Sequence, residues 1–415
     1  MSGARRTSLV IVSRDRAEML DRCLTAVTQL DHTDFEVIVV ADPETLRGVR
    51  GHGLPVKLAA CDVPNVSVAR NIGIDLAAGE VVAFLDDDAV PEPTWLSRLT
   101  APYDDPEVAA AGGFVRGRNG ISLQWAGGAV DRLTRPLPLD VPRGMVSRHR
   151  GRPAAAIEIK GCNCSYRRDV LVRLGGFDPA LAYYLDETEL NLRLANHGMM
   201  TAIVPMAQVH HAKAPSARRG PNLLPLSLHD VGASTALVLR RHGVTEIERA
   251  GALGWLEADR RRQLLAMMVD GRIEPRDVGR LLATLTEGWQ AGSAAPLPET
   301  ARIAAEPTAG FRRFLAGPRE GRVIAGASWQ AGRVRRAAAA EVDSGRIATA
   351  MVFSPTPMAH RMRFHPGGYW LQTGGLFGRS DRNAPPVRPW RFGARVRHES
   401  RRIAPFRPVG PRTAE

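Results

Sequence analysis

Two groups of acids are the residues of this chain whose types and spacing could do chemistry. Asp86, Asp87 and Asp88 follow directly on the apolar run Val81–Leu85; Asp186, Glu187 and Glu189 come later. Carboxylates stacked at the end of a buried strand repel one another, more strongly beside a low-dielectric core. Either the loop is well solvated or positive charge sits against it. A solvated turn is one reading, since Asp is a turn residue and Pro91 follows. A calcium loop is excluded: counted from Asp86, the sixth position is Pro91 rather than Gly and the twelfth is Ser97 rather than Glu. The third reading is a D-x-D pair, Asp86 and Asp88, holding a divalent ion that bridges phosphates, because hard cations take carboxylate oxygens and leave positions open.

The second group has its own alternatives. Asp186-x-x-Glu189 has the spacing of a helix capping pair. If Asp186 caps, Glu187 occupies the first helical position and is free to point into a cleft. Leu190 and Leu194 then read as helix core, and Glu189 with Arg193 as a surface pair.

The elements that must position these groups read as repeated βα units. "SLVIVS" (8–13), "FEVIVV" (35–40), "LPVKLAAC" (54–61), "EVVAFLD" (80–86) and "VAAAGGFV" (108–115) are strand-like. Between them Leu20, Leu24 and Val27 recur at helical spacing, and Asn65 can cap a helix over "VSVARNIGIDLAAG" that Gly79 stops. Such units predict an α/β fold with a mostly parallel sheet covered on both faces. Ligands then bind outside the carboxyl ends of the strands, where Asp42 and Asp86–Asp88 lie. Residues 120–156, with Pro136, Pro138, Pro142 and Pro153, read as a loop or lid. Residues 230–290 read as helical, and mixed short elements follow from about 300.

A length of 415 residues allows two or three domains. No run of about 18 apolar residues occurs, so no membrane span is expected. The apolar run Leu9–Val12 is too short for a signal peptide, which makes a cytoplasmic protein the expectation. Four cysteines do not make a disulfide framework. Cys162-x-Cys164 lacks the second pair that a zinc site needs. Residues 301–415 contain 21 Arg, no Lys and 7 acidic residues, so the excess positive charge of the chain, formally +13, lies in this C-terminal region. It could face anionic lipid, an acidic glycan or nucleic acid, or could be a plain Arg-rich surface.

Two family resemblances attach to the Asp run. Asp86-Asp87-Asp88-Ala89-Val90 meets the D-x-D-x-[TV] pattern of haloacid-dehalogenase-type phosphatases, which would make Asp86 a covalent nucleophile. That motif normally ends a first strand, whereas several βα units precede it here, and no G-D-x-x-x-D pair follows. The wider segment "VARNIGIDLAAGEVVAFLDDDAVPEPTWL" resembles the inverting family 2 glycosyltransferases of the GT-A fold. Ala69-Arg70-Asn71-Ile72-Gly73, Ala78-Gly79, Phe84-Leu85-Asp86-Asp87-Asp88 and Pro91 with Leu96 carry the likeness. Downstream, "GCNCSYRRDVLVRLGGFDPALAYYLDETELNLRL" resembles the acceptor-side segment of that family, and the resemblance covers about residues 7–215.

The resemblance implies a GT-A type, Rossmann-like domain over residues 1–228. Its nucleotide-sugar half would cover about 1–118 and its acceptor half 119–228. A helical segment (229–295) and an Arg-rich region of unknown role (296–415) would follow. It implies a bacterial, metal-dependent transferase of polysaccharide biosynthesis, moving a sugar from a nucleotide-diphosphate sugar to a glycan or lipid-linked acceptor. Asp86 and Asp88 would hold the divalent ion; Asp87 would face ribose or sugar hydroxyls. Asp42 would bind the base with Ser13 nearby, Arg70 would meet the nucleotide or the carboxylates, and Asn163 would stand on the acceptor side. The family's base maps to Glu187, with Asp186 second. A histidine completing the metal site maps to His210 or His211, with a lean to His210, and such a ligand favours Mn2+ over Mg2+. Cys162 and Cys164 become ordinary neutral positions. Arg218 and Arg219 would lie on a loop near the phosphates. A peripheral contact of the basic region with the inner face of an anionic membrane is expected rather than nucleic-acid binding. The non-enzymatic alternative is a degenerate member acting as a binding scaffold.

Overall fold

The protein is described by a computed structural model covering residues 5–51, 53–216, 218–220 and 222–410. Its centre is a ten-stranded sheet. Thr7–Ser13 runs parallel to Phe35–Ala41 on one side and to Val81–Asp86 on the other, and Lys57–Ala60 extends the parallel set. Alternate residues feed two cores. Leu9, Ile11, Val37 and Val39 face one layer; Val10, Ile38 and Val40 face the other. This two-sided burial explains why these strands read as unbroken apolar runs rather than as alternating ones.

Beyond Val81–Asp86 the sheet departs from the simple parallel series. Cys164–Arg167 inserts antiparallel between Val81–Asp86 and Val108–Arg116. Val108–Arg116 then pairs in parallel with the long strand Met200–His211. The α/β architecture is as expected, but the sheet is mixed on this side. The helix Val66–Leu76 is capped by Asn65, whose side chain accepts from the Val68 N–H at 3.0 Å. Its C-terminal residue is Leu76, with Ala77 as the C-cap. Gly79 serves a different need from the stop expected of it. A Cβ there would stand 2.6 Å from the Ser8 backbone nitrogen, so only glycine lets the chain pass the first strand so closely.

Residues 120–156 are more ordered than a lid. Leu123–Trp125 pairs with Val108–Arg116, and Ser147–Arg150 pairs with Met200–His211. Gly128–Val130 lies between Ala156–Glu158 and Pro136–Leu137 in a small separate sheet. Pro136 is tolerated because its strand is at an edge.

Three helices follow, His229–Arg241, Glu246–Val269 and Pro275–Ala294, as the sequence pattern anticipates. No helix among the described residues is long and apolar enough to cross a membrane. The chain then returns to the main sheet: the Phe314 N–H donates to the Phe35 carbonyl at 2.7 Å, and the two rings lie 5.3 Å apart. A second sheet of four strands closes the molecule, in the order Gly321–Ala327, Ile347–Ser354, Trp370–Gly375 and Arg361–Phe364. Helices Ala331–Asp343 and Phe392–Ile403 accompany it. Several arginines that make this region basic point inward. Arg395 and Arg402 both reach the buried Glu399.

Arg407 ties this second sheet to the first. It is 1 % exposed and forms a two-pronged ion pair with Glu92, itself 2 % exposed; its Nε lies 2.8 Å from Glu92 Oε2. The guanidinium stacks 3.6 Å from the centre of the Trp370 ring. His210 Nε2 reaches Glu92 Oε1 at 2.8 Å. Burial opposes the charge on Glu92, but Arg407 and His210 hold its pKa down, to about 2.

Removing one member of a buried pair leaves the other uncompensated, at a cost of about 3–5 kcal/mol. Arg407→Met is therefore expected to lower unfolding free energy by about that amount, read from denaturant midpoints. The double variant with Glu92→Gln should recover part of the loss. A midpoint unchanged by Arg407→Met would refute the assignment.

Candidate active site

The strand Val81–Asp86 delivers Asp86 to the carboxyl edge of the sheet, and the chain turns at Asp87–Asp88 into the short strand Ala89–Pro91. That strand pairs antiparallel with the end of Met200–His211, placing His211 opposite Ala89 and His210 opposite Val90. Side chains alternate along a strand, so the two histidines face opposite ways. His211 Nε2 lies 3.1 Å from Asp88 Oδ1 and 3.9 Å from Asp86 Oδ2, while Gln124 holds its Nδ1 at 3.2 Å. The lean towards His210 is thus corrected. His210 is packed against Glu92 and Trp370, on the side away from the carboxylates.

Positive charge does sit against the Asp run, from three directions. Arg16 lies 2.8 Å from Asp87 and 3.5 Å from Asp88. Arg70 lies 3.3 Å from Asp86. His211 is the third. Burial disfavours its charged form, yet the neighbouring Cys162 sulfur and Asp88 carboxylate raise its pKa well above the usual value. Asp88 is buried, but His211, Arg16 and the Ala214 N–H, which donates to it at 2.7 Å, hold its pKa well below the usual carboxylate range.

The three acids are not equivalent. Asp86 keeps 29 % of its side chain exposed and lines a cavity of about 790 Å3, as does Asp88. Asp87 is fully buried and accepts from the Ser13 hydroxyl at 2.6 Å. Burial pushes its pKa up to about 7, against the pull of Arg16 and Ser13. The expectation that Asp87 faces sugar hydroxyls is therefore not met: it points inward and locks the first strand to the fourth. Ser13 does line the cavity.

Asp42 also differs from its expected role. Its carboxylate caps the helix Pro43–Arg50, accepting from the Thr45 N–H at 3.0 Å and the Thr45 hydroxyl at 2.7 Å. It accepts from the Asp15 N–H as well, at 3.0 Å. Despite the opposing effect of burial, these bonds lower its pKa to about 2. The cavity wall at this end is made instead by Val12, Ser13, Val40, Cys61 and Val63. Asn163 is likewise internal. It is fully buried, accepting from Trp95 Nε1 at 2.7 Å and donating to the carbonyls of Phe114 and Ala207 at 3.0 and 2.9 Å. It shapes the site from behind and does not line it.

The opposite wall begins at the helix Asp186–Asn196. Asp186 does not cap it: it is already helical, and the N-cap is Leu185, with no side-chain cap. Tyr184 and Leu185 both adopt left-handed backbone, with φ of 72° and 63°. Such residues cost on the order of 1–3 kcal/mol each, and they cluster where geometry is functional. Asp186 is 5 % exposed and ion-paired with Arg70. Burial raises its pKa, to about 7, with Arg70 opposing and the adjacent Glu187 adding to the rise. Glu187 is half-buried and lines the cavity. Leu190 and Leu194 are core, as expected, but the Glu189–Arg193 pair is not at the surface, since Glu189 is fully buried.

Arg70 thus joins the two acid groups, holding Asp86 with one nitrogen and Asp186 with the other. Its guanidinium stacks over Phe177 at 5.1 Å. Arg218 and Arg219 line the same cavity, and Trp255, Arg260 and Gln263 of the helix Glu246–Val269 close its far end. Arg260 donates to the Tyr184 hydroxyl at 2.8 Å.

The donor set fits a divalent transition ion. Ligand atoms of Asp86, Cys162 and His211 all lie within 4.8 Å of one another, with the Asp88 carboxylate beside His211. Mixed oxygen, nitrogen and sulfur donors suit first-row metals. Sequence reasoning passed over Arg16 and Gln124, and set Cys162 aside as a neutral position. Arg16 had a usable signal, since it follows the end of the first strand; Gln124 had none without the fold.

Residues 8–174 match the model of the family described as glycosyl transferase family 2. The O-antigen biosynthesis protein RfbC of Myxococcus xanthus is 27% identical over 237 residues, which are 52% of this chain and 18% of that protein. The pre-mycofactocin glycosyltransferase of Mycobacterium tuberculosis (strain CDC 1551 / Oshkosh) is 31% identical over 225 residues, 50% of this chain and 43% of that one. This chain therefore spans less than half the length of either relative. Among solved structures, a mannosyltransferase from Pyrobaculum calidifontis in complex with GDP-Man and Mn2+ matches with a TM-score of 0.41 and 19% identity, covering 70% of this chain and 88% of that one. Over residues 8–174 the chain is thus similar to glycosyl transferase family 2.

Proposed function

We propose that the protein is a metal-dependent, inverting glycosyltransferase that moves a sugar from a nucleotide-diphosphate sugar to a glycan or lipid-linked acceptor. The observation that carries this reading is a single cavity with Asp86, Asp88 and His211 on one wall and Glu187 on another, the two joined through Arg70. Asp86, Asp88 and His211 would hold a divalent ion, which when bound offsets the negative charge that grows on a departing diphosphate. An imidazole in the set favours Mn2+ over Mg2+. The apolar wall from Val12 to Val63 gives a base and ribose a place to lie, and Arg218 and Arg219 are within the same cavity for phosphate oxygens.

Glu187 serves as the base. It removes the proton of the acceptor hydroxyl as that oxygen attacks the anomeric carbon from the face opposite the leaving group. Asp186 positions it: pinned by Arg70, it fixes the first turn of the helix that presents Glu187. The far wall, with Trp255 and Arg260, is where the acceptor would enter, a planar ring beside a polar group being suited to stacking on a sugar. The similarity to an O-antigen biosynthesis protein and to a pre-mycofactocin glycosyltransferase supports glycan or small-molecule glycoside assembly as the setting.

The phosphatase alternative asks Asp86 to be a free nucleophile, whereas its carboxylate is held by Arg70 and lies near His211. The scaffold alternative leaves the intact acid on the opposite wall without a task.

Two outcomes test the reading, both measured in the presence of Mn2+, with turnover read as release of nucleoside diphosphate. Glu187→Gln is expected to lower turnover by about 10²–10⁴-fold while leaving donor affinity nearly unchanged, because it removes a proton acceptor and little else. Asp88→Ala is expected to abolish Mn2+-dependent donor binding, measured as loss of the donor-induced rise in melting temperature. Wild-type turnover in both variants would sink the mechanism. Phosphomonoester hydrolysis that survives Glu187→Gln and vanishes in Asp86→Asn would favour the phosphatase.

A further inference from the structure

Cys162 was expected to be a neutral position, yet the fold aims it at the candidate metal site. It is 5 % exposed, lines the cavity, and stands beside the His211 ring. Its sulfur, a ligand nitrogen of His211 and a carboxylate oxygen of Asp86 lie within 4.8 Å of one another. Asp88 is less free to act: one oxygen already takes the Ala214 N–H at 2.7 Å and faces Arg16.

The placement of the sulfur is built into the backbone on both sides. Gly161 lies against Arg70, so closely that a Cβ would stand 2.5 Å from a guanidinium nitrogen. On the other side Asn163 is clamped by Trp95 and by the Phe114 and Ala207 carbonyls. The Asn163 N–H also closes a turn onto the Lys160 carbonyl at 2.8 Å. A side chain between two fixed neighbours has little freedom to turn away. A fixed, buried donor atom beside an imidazole and a carboxylate is what a metal ligand requires, and a merely space-filling thiol does not need it.

We propose that Cys162 is itself a ligand of the divalent ion, bound as thiolate with its proton passing to solvent. The site then presents sulfur beside the Asp86 oxygen and the His211 nitrogen, and selects a borderline first-row ion over magnesium, because thiolate is a soft donor that hard Mg2+ takes poorly. This deepens the metal-holding part of the proposed function and rests on it.

Cobalt reports the bond directly, independently of turnover. The full chain, freed of metal with a chelator, is titrated with Co2+ while its absorption spectrum is recorded. The wild type and the Cys61→Ser control are expected to show the near-ultraviolet charge-transfer band of a thiolate–cobalt bond. Cys162→Ser should still take up cobalt, at least about tenfold more weakly and without the band, since losing even a supporting ligand partner weakens metal sites by that much. In the wild type, alkylation of Cys162 followed by mass spectrometry should slow when Co2+ is added and not when Mg2+ is added, a readout that needs no variant. Cobalt bound without the band, a band that survives Cys162→Ser, or alkylation unaffected by Co2+ would overturn the role of Cys162 while leaving the carboxylate–histidine site standing. Failure of the wild type to bind cobalt at all would overturn both.

Discussion

One guanidinium holds this site together. Arg70 stands on the helix Val66–Leu76, buried, with one nitrogen on Asp86 and the other on Asp186. Two carboxylates brought together from distant segments would repel, and in a low-dielectric interior the repulsion is large. Arg70 turns that repulsion into attraction and so sets the distance between the two walls. Everything around it is arranged to keep it in place. Phe84 and Phe177 lie beneath it, Gly161 leaves it room, and Asn71, next in sequence, bonds both to the Phe177 carbonyl and from the Phe177 N–H at 2.8 Å.

The same logic explains the run of three acids. The strand ends at Asp86 and the chain turns at Asp87–Asp88, so the three consecutive aspartates are sent in different directions and do not share one task. Asp87 faces inward to Ser13 and Arg16, and is structural. Asp86 and Asp88 face the cavity. The first and third acids thus face the cavity, while the second is taken up in holding the strands.

Much of this was readable from local pattern. Unbroken apolar runs named the strands, the Asp run named the carboxyl edge, and the cap at Asn65 named the helix that carries Arg70. What was not readable depended on register and orientation. His210 and His211 are indistinguishable in sequence; only the pairing of His211 with Ala89 decides which one faces the carboxylates. Asn163 and Asp42 sit where motif spacing puts them, but their side chains are spent on internal hydrogen bonds, which no spacing rule reveals. The insertion of Cys164–Arg167 between two strands earlier in sequence is also non-local, and it is what swings Cys162 to the site.

The pairing of opposite-facing histidines has a consequence for the order in which the molecule can be finished. His211 belongs to the cavity, while its neighbour His210 leans on Glu92, and Glu92 is neutralised by Arg407. A chain emerging from the ribosome folds its amino-terminal elements first. Both walls of the cavity will have been made while Glu92 still lacks its cation. Of these two partners the carboxylate then has only His210, and the hairpin that carries Asp88 and His211 stands without its rear support. The hairpin at the site is therefore braced only when a residue more than three hundred positions beyond Glu92 has been translated and docked.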